Sequence, residues 1–260
     1  MSDAILQARD LVKRFGGLSA VDGCSFDIAR GSITGLIGPN GAGKTTTFNI
    51  LAGALAPTSG RVVFDGADVT RMPTHLLFRR GLVRTFQIPQ EYGRMTAREN
   101  LMVAAPGQSG ERLLPAWLAP RRVAREEAAL RAKVDATLDF LSLGAVADER
   151  AGNLSGGQKK LLEIGRTMMT DARLVLLDEP GAGVNPTLLR EIAAAIRRLN
   201  RERGYTFCII EHNMDLIAEL CDPVIVMAEG RVLAQGGLAE LRADRAVVEA
   251  YLGGSREASA

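Results

Sequence analysis

The chain has 260 residues, 47% hydrophobic and 24% charged, with 32 Lys and Arg against 30 Asp and Glu. That balance suits one large α/β domain, or a domain with a subdomain, and the net charge of +2 gives no case for binding nucleic acid by bulk charge. The cysteines Cys24, Cys208 and Cys221 show no paired spacing, which argues against a disulfide framework and a zinc site and leaves them as small buried hydrophobes.

The opening MSDAILQARD lacks a basic region followed by an apolar run, so no signal peptide is expected. No window approaches the roughly 18 uninterrupted apolar residues of a membrane span. The expected location is the cytoplasm. The runs ILQARDLVKRF and CSFDIARG, split by a tight turn at Phe15-Gly16-Gly17, predict antiparallel strands. SITGLIGPNGAGKTTTFNILAG predicts an apolar strand from Ile33 to Ile37, a glycine-rich loop, and a helix starting near Lys44. GRVVFDGADV predicts a strand pair turning at Asp65-Gly66.

From about residue 94 the pattern turns helical, with Val123, Leu130, Val134, Leu138 and Leu141 at helical spacing. The prolines in APGQSGERLLPAWLAPRR predict an irregular excursion before that helix. Residues 94–153 therefore read as a helical insert in an α/β core. The core resumes with ARLVLLDEP as a buried strand. It continues with PTLLREIAAAIRRLNRERG as an amphipathic helix, then strands at TFCIIEH, PVIVMAEG and RVLAQGG. Alternation of this kind predicts a mainly parallel sheet. The tail GGSREASA is expected to be disordered, and His75 is expected in a surface loop.

Three stretches carry chemistry. Gly38-Pro39-Asn40-Gly41-Ala42-Gly43-Lys44-Thr45 fits GxxxxGK[ST], follows an apolar strand and opens a helix that also begins with Thr46. Such a loop turns backbone N–H groups toward a polyphosphate, with Lys44 on the β and γ phosphates and the Thr45 hydroxyl on Mg²⁺. A magnesium site also needs a carboxylate, and four aliphatics, Leu174 to Leu177, deliver Asp178 at a strand's C-terminal end. Glu179 is then free to polarise the water that attacks the γ-phosphate of ATP. The third stretch, NLSGGQKK at residues 153–160, is a second glycine-rich loop, in which Ser155 can cap a helix beginning near Gly156. A helix N-terminus of that kind is a second anion site. Kinases, helicases and adenylate-forming enzymes remain open at this point, while the lack of an NKxD element disfavours GTP.

LSGGQ, taken with the phosphate-binding loop and LVLLDEP, resembles the ATP-binding-cassette (ABC) family from Ile5 to about Leu252. The resemblance implies an α/β P-loop NTPase core, an N-terminal antiparallel β-subdomain and an α-helical signature subdomain. Within a single domain over 5–252, it implies core at 1–93 and 170–235, helices at 94–169 and a C-terminal extension at 236–252 ahead of a 253–260 tail. It places Phe15 against adenine, Gln87 on Mg²⁺ and His212 on the γ-phosphate. It also implies that Leu154, Ser155, Gly156, Gly157 and Gln158 serve a partner's ATP, two cassettes packing head to tail. Where the family usually has aspartate after LDEP, this chain has Asn185, which keeps a hydrogen-bonding carbonyl and loses the charge.

The length of the helical insert is unlike chromosome-maintenance members, and the single cassette is unlike translation-associated ones. RTFQIPQEYGRMTARENLMVA, the proline-containing insert, LDEPGAGVNPTLL and the ending VVEAYLGG are similar to the branched-chain amino-acid importer ATPases. That subgroup implies polytopic permease subunits, a second cassette of the same or a sibling chain, and a periplasmic solute-binding protein acting indirectly. It also implies a peripheral position on the inner face of the cell membrane. A urea or amide importer, a lipopolysaccharide-type exporter and a non-transport ABC ATPase are the alternatives. The run Arg121, Arg122, Arg125 reads as a solvated helix face paired with Glu126 and Glu127, in preference to a contact with anionic lipid.

Overall fold

The computed structural model describes residues 3–85, 91–111 and 113–253. The chain opens with strands β1 (Ala4–Phe15), β2 (Leu18–Ala29) and β3 (Ile33–Ile37), then helix α1 (Lys44–Leu51). There follow β4 (Ser59–Phe64), β5 (Ala67–Asp68), α2 (Thr74–Arg79) and β6 (Leu82–Arg84). The helices α3 (Ala97–Ala104), α4 (Leu113–Leu118), α5 (Pro120–Phe140) and α6 (Gly156–Met168) come next. The chain then runs through β7 (Leu174–Asp178), α7 (Pro186–Arg203), β8 (Thr206–Ile210) and α8 (Met214–Leu220). It closes with β9 (Val224–Ala228), β10 (Arg231–Gly236), α9 (Leu238–Ala243) and α10 (Arg245–Gly253).

The chain divides into two compact units, one of Met1–Gln87, Arg173–Ala182 and Ile196–Ala260, the other of Ile88–Ala172 and Gly183–Ala195. The first holds both sheets. One is antiparallel, in the order β2-β1-β4-β5, and the other is six-stranded, in the order β10-β9-β3-β8-β7-β6. In the second sheet every pairing from β9 to β6 is parallel, and β10 joins β9 antiparallel. Strands β3, β7 and β8 are buried along their whole length, as parallel strands covered on both faces must be. This explains why they appear in the sequence as unbroken aliphatic runs. Phe48, Ile50 and Leu51 of α1 join Leu6 and Leu11 of β1, Phe26 of β2, Phe64 of β4 and Leu36, Ile225 and Met227 of the second sheet in one apolar cluster. The β4–β5 turn falls at Asp65-Gly66, both at positive φ (50° and 77°), as a two-residue hairpin that follows the strand twist requires.

The second unit is helical. Gly165 lets α6 lie close to α3 and α5, since a Cβ there would come within 2.8 Å of Leu141 and 3.0 Å of Leu101. Leu101, Val134, Leu138, Leu162 and Met169 are buried. The excursion predicted to be irregular contains a short 3₁₀ turn at Ser109–Glu111 and helix α4. Two of its three prolines start helices: Pro115 lies in the first turn of α4 and Pro120 at the first position of α5, where a missing N–H costs no internal hydrogen bond. The structure also corrects His75, which sits on α2, although it is exposed as expected. Strand β2 begins at Leu18, ahead of the predicted Cys24. Residues 254–260, where the tail was expected, lie outside the described residues.

Candidate active site

Strand β3 runs directly into the phosphate-binding loop. Gly38 and Gly43 adopt φ of 154° and 92°, and a Cβ at these positions would stand 2.1 Å from the Met227 carbonyl oxygen and 2.4 Å from that of Ala20. Neighbouring backbone, and not only the turn, demands glycine here. The Gly230 N–H between β9 and β10 donates to the Ala42 carbonyl at 3.1 Å, bracing the loop from behind. Gly43 is the N-cap of α1 and supplies no side-chain acceptor, so the first N–H groups of that helix are left to a ligand. Lys44 is buried, and its Nζ donates to the carbonyls of Gly38 (2.8 Å) and Pro39 (2.9 Å). Pro39 and Thr46 are partly buried, whereas Asn40, Gly41 and Thr45 lie open to solvent.

The parallel order β3-β8-β7 sets the C-terminal ends of three strands side by side, and the other charged groups arrive on them. Asp178 ends β7, buried, with one carboxylate oxygen 2.9 Å from Arg84 Nη2. Arg84 in turn donates to the Asn49 side chain at 2.5 Å. Glu179 follows in left-handed backbone (φ 50°), unusual for a residue with a Cβ and typical of strained functional positions. Its N–H donates to the Ile210 carbonyl at 2.9 Å, and its Oε1 lies 3.1 Å from His212 Nε2. The buried Glu211 accepts from the N–H groups of Gly181 (2.6 Å), His212 (2.9 Å) and Asn213 (3.1 Å), tying the loop after β7 to the loop after β8. Burial pushes the Lys44 ammonium below its usual range, while the charges of Glu179 and Asp178 pull it back up. A cation thus lies within the electrostatic reach of two carboxylates.

The residues present fit magnesium. The Thr45 hydroxyl and the Asp178 carboxylate are hard oxygen donors, and Mg²⁺ bound to a polyphosphate takes one or two protein ligands and fills the rest with phosphate and water. Among the described residues no group of three His, Cys, Asp or Glu could hold a metal by itself. Phe15, at the β1–β2 turn, is 50% exposed and carries the Lys13 ammonium 5.2 Å from its ring centroid. Tyr251 of α10 sets its phenol against the backbone of Gly38; burial raises its pKa and the Gly38 hydrogen bond opposes that.

The signature lies in the helical unit. Ser155 is the N-cap of α6: its hydroxyl accepts from the Gln158 N–H, and the Gln158 side chain accepts from the Ser155 N–H at 2.9 Å, a complete capping box. Leu154 is buried and Gly156 is exposed with nothing within 4 Å of a Cβ position. Gly157 is buried, and a Cβ there would fall 1.6 Å from Leu188 Cδ2. Lys159 pairs with Glu91 at 2.8 Å. Asn185 caps α7, its Oδ1 accepting from the Leu188 N–H at 3.0 Å. Gln87 lies outside the described residues. Sequence reasoning missed Arg84, Glu91, Glu211 and Tyr251. Glu211 had a readable signal, an acid directly after a buried aliphatic strand, the same one that singled out Asp178; the others had none.

Comparison with known proteins shows what this chain is similar to. A family described as ABC transporter matches residues 21–182, and one described as branched-chain amino acid ATP-binding cassette transporter matches 231–257. The chain is 43% identical to a probable branched-chain amino acid transport ATP-binding protein (LivG) of Archaeoglobus fulgidus, over 96% of this chain and 95% of that one. It is 40% identical to the high-affinity branched-chain amino acid transport ATP-binding protein BraF of Pseudomonas aeruginosa, over 97% and 99%. Among solved structures, a nucleotide-free ATP-binding cassette from an ABC transporter superposes with a TM-score of 0.81 at 39% identity, covering 95% of this chain and 98% of that one.

Proposed function

The chain belongs to the ABC transporter ATP-binding family, and from that premise we propose that it is the ATP-hydrolysing cassette of an importer for branched-chain amino acids. The observation that carries the hydrolytic part is the 3.1 Å pairing of Glu179 with His212 beside Lys44 and Asp178. The substrate class rests on the match of residues 231–257 and on the names of the relatives.

In this reading the backbone of residues 38–46, with Lys44, holds the phosphates of ATP, and Phe15 stacks on the adenine. Thr45, Asp178 and Gln87 would hold Mg²⁺, directly or through its waters, and the ion would supply charge neutralisation on the phosphates. Arg84 orients Asp178. Glu179 accepts hydrogen bonding from the attacking water and takes its proton, while His212 fixes the Glu179 carboxylate and reaches the γ-phosphate. Lys44 must exchange its bonds to the Gly38 and Pro39 carbonyls for phosphate oxygens when nucleotide arrives. The signature residues 154–158 and Asn185 serve the ATP of a second cassette, a copy or a sibling of this chain, through the N–H groups at the start of α6 that the Ser155 cap leaves free. No described helix is long and apolar enough to cross a membrane, so polytopic permease subunits supply the pathway and a periplasmic solute-binding protein delivers the solute. The cassette would then sit peripherally on the inner face of the cell membrane.

The test is reconstitution of the chain with its permease subunits and binding protein in vesicles. Leucine-, isoleucine- or valine-loaded binding protein should raise ATP turnover and drive uptake. Turnover that responds instead to urea or to a lipid-linked saccharide would assign a different cargo.

A further inference from the structure

Helix α4 carries Leu114, Trp117 and Leu118 at the i, i+3, i+4 spacing of a single helix face, and these side chains are 71%, 85% and 72% exposed. Single apolar residues on a surface are ordinary, but a tryptophan grouped with two leucines marks an interaction site. The segment is held at its root. Gln108 Nε2 donates to the carbonyls of Met102 (2.8 Å) and Ala105 (3.1 Å), and Glu126 of α5 accepts from the Ser109 N–H at 3.2 Å. Just beyond, at the start of α5, Arg121 and Arg125 are exposed. Glu126 is taken by Arg122 and Glu127 by Arg131, so among the described residues neither Arg121 nor Arg125 has a carboxylate within ion-pair distance.

We propose that α4 and the start of α5 form a contact element for a lipid bilayer bearing anionic phospholipid headgroups. The charge complementarity is specific. Indole and leucine side chains seat at the depth of the headgroups and upper acyl chains, and uncompensated guanidinium groups beside them meet lipid phosphates. Arg122 is already neutralised by Glu126, so Arg121 and Arg125 are the two guanidinium groups left to meet anionic headgroups beside the apolar face. The proposal requires only that the cassette works against a membrane, whatever solute is carried.

Trp117 is the single tryptophan of the chain, so its fluorescence reports this face directly. The purified full chain is titrated with vesicles of phosphatidylglycerol and, separately, of phosphatidylcholine. Phosphatidylglycerol should shift Trp117 emission to the blue and allow quenching by brominated acyl chains, while phosphatidylcholine should do neither. Arg121→Gln with Arg125→Gln should raise the half-saturating lipid concentration about thirty-fold. Leu114→Ser with Leu118→Ser should weaken the quenching while ATP turnover of the free chain stays unchanged. Unaltered emission with phosphatidylglycerol would overturn the proposal, as would an equal response to both lipids. So would shielding of Trp117 only on addition of detergent-solubilised permease subunits, which would assign the face to protein.

Discussion

Gly156 and Gly157 stand side by side in the signature and are glycine for different reasons. Replacing a helical glycine by alanine ordinarily stabilises by up to about 1 kcal/mol. At Gly157 the sign should reverse, because the new Cβ would fall inside Leu188, and overpacking of this kind costs about 1–3 kcal/mol. Gly157→Ala should therefore lower the thermal midpoint, and in a Leu188→Ala background the same alanine should raise it. Gly156→Ala meets nothing, so the midpoint should hold or rise, and any loss of ATPase activity in that variant would come from the nucleotide side. For the chemistry, Glu179→Gln removes the proposed base while keeping size and hydrogen bonding. Turnover should fall roughly 10²–10⁴-fold, with ATP affinity, measured by equilibrium binding of a fluorescent analogue, retained. Full turnover in that variant would remove Glu179 from its role.

At the scale of elements, helix ends are where the site is made. Helix α1 is left uncapped by Gly43, whereas α6 and α7 are capped by Ser155 and Asn185. Asn185 is thus a structural residue in this chain whatever it does across a dimer. Asn185→Ala should cost about 1 kcal/mol in denaturant unfolding. Asn185→Asp keeps the acceptor and adds a negative charge at a helix N-terminus, and should match or exceed the native stability. An equal loss in both variants would mean that the Leu188 N–H bond contributes nothing. Glu211 works between elements. Its three accepted N–H bonds hold the loops that carry Glu179 and His212, which ties the placement of that pair to two strands at once.

For the molecule as a whole, stability should depend on pH through Glu91. Burial raises its carboxyl, but the hydrogen bond and charge of Lys159, helped by Arg166, outweigh it and leave the folded pKa below the ordinary value. A depressed acid contributes stability that is full above its unfolded pKa and is lost as pH falls through the folded one. Glu91→Gln should therefore lower the urea midpoint near pH 7, and the gap should close as the pH falls through and below the ordinary carboxylate range. A gap that persists in acid would show that the pairing is not its cause. Much of the architecture and most of the site were legible in the sequence because they are contiguous. The loop from Gly38 to Thr45, the aliphatic run ending in Asp178 and the Ser155 cap each declare themselves by spacing within a few residues. Helices α2, α4 and α8 and the three-residue strand β6 were not, being too short to establish a period. The sequence by itself determined the family and the P-loop core, and it singled out the chemical groups proposed for the site. Only the tertiary structure decided that Glu179 meets His212, that Arg84 holds Asp178, that Glu91 pairs with Lys159, and that Gly157 is a packing glycine. Each of these joins residues far apart in the chain, and strand order and helix packing, which no local pattern encodes, bring them together.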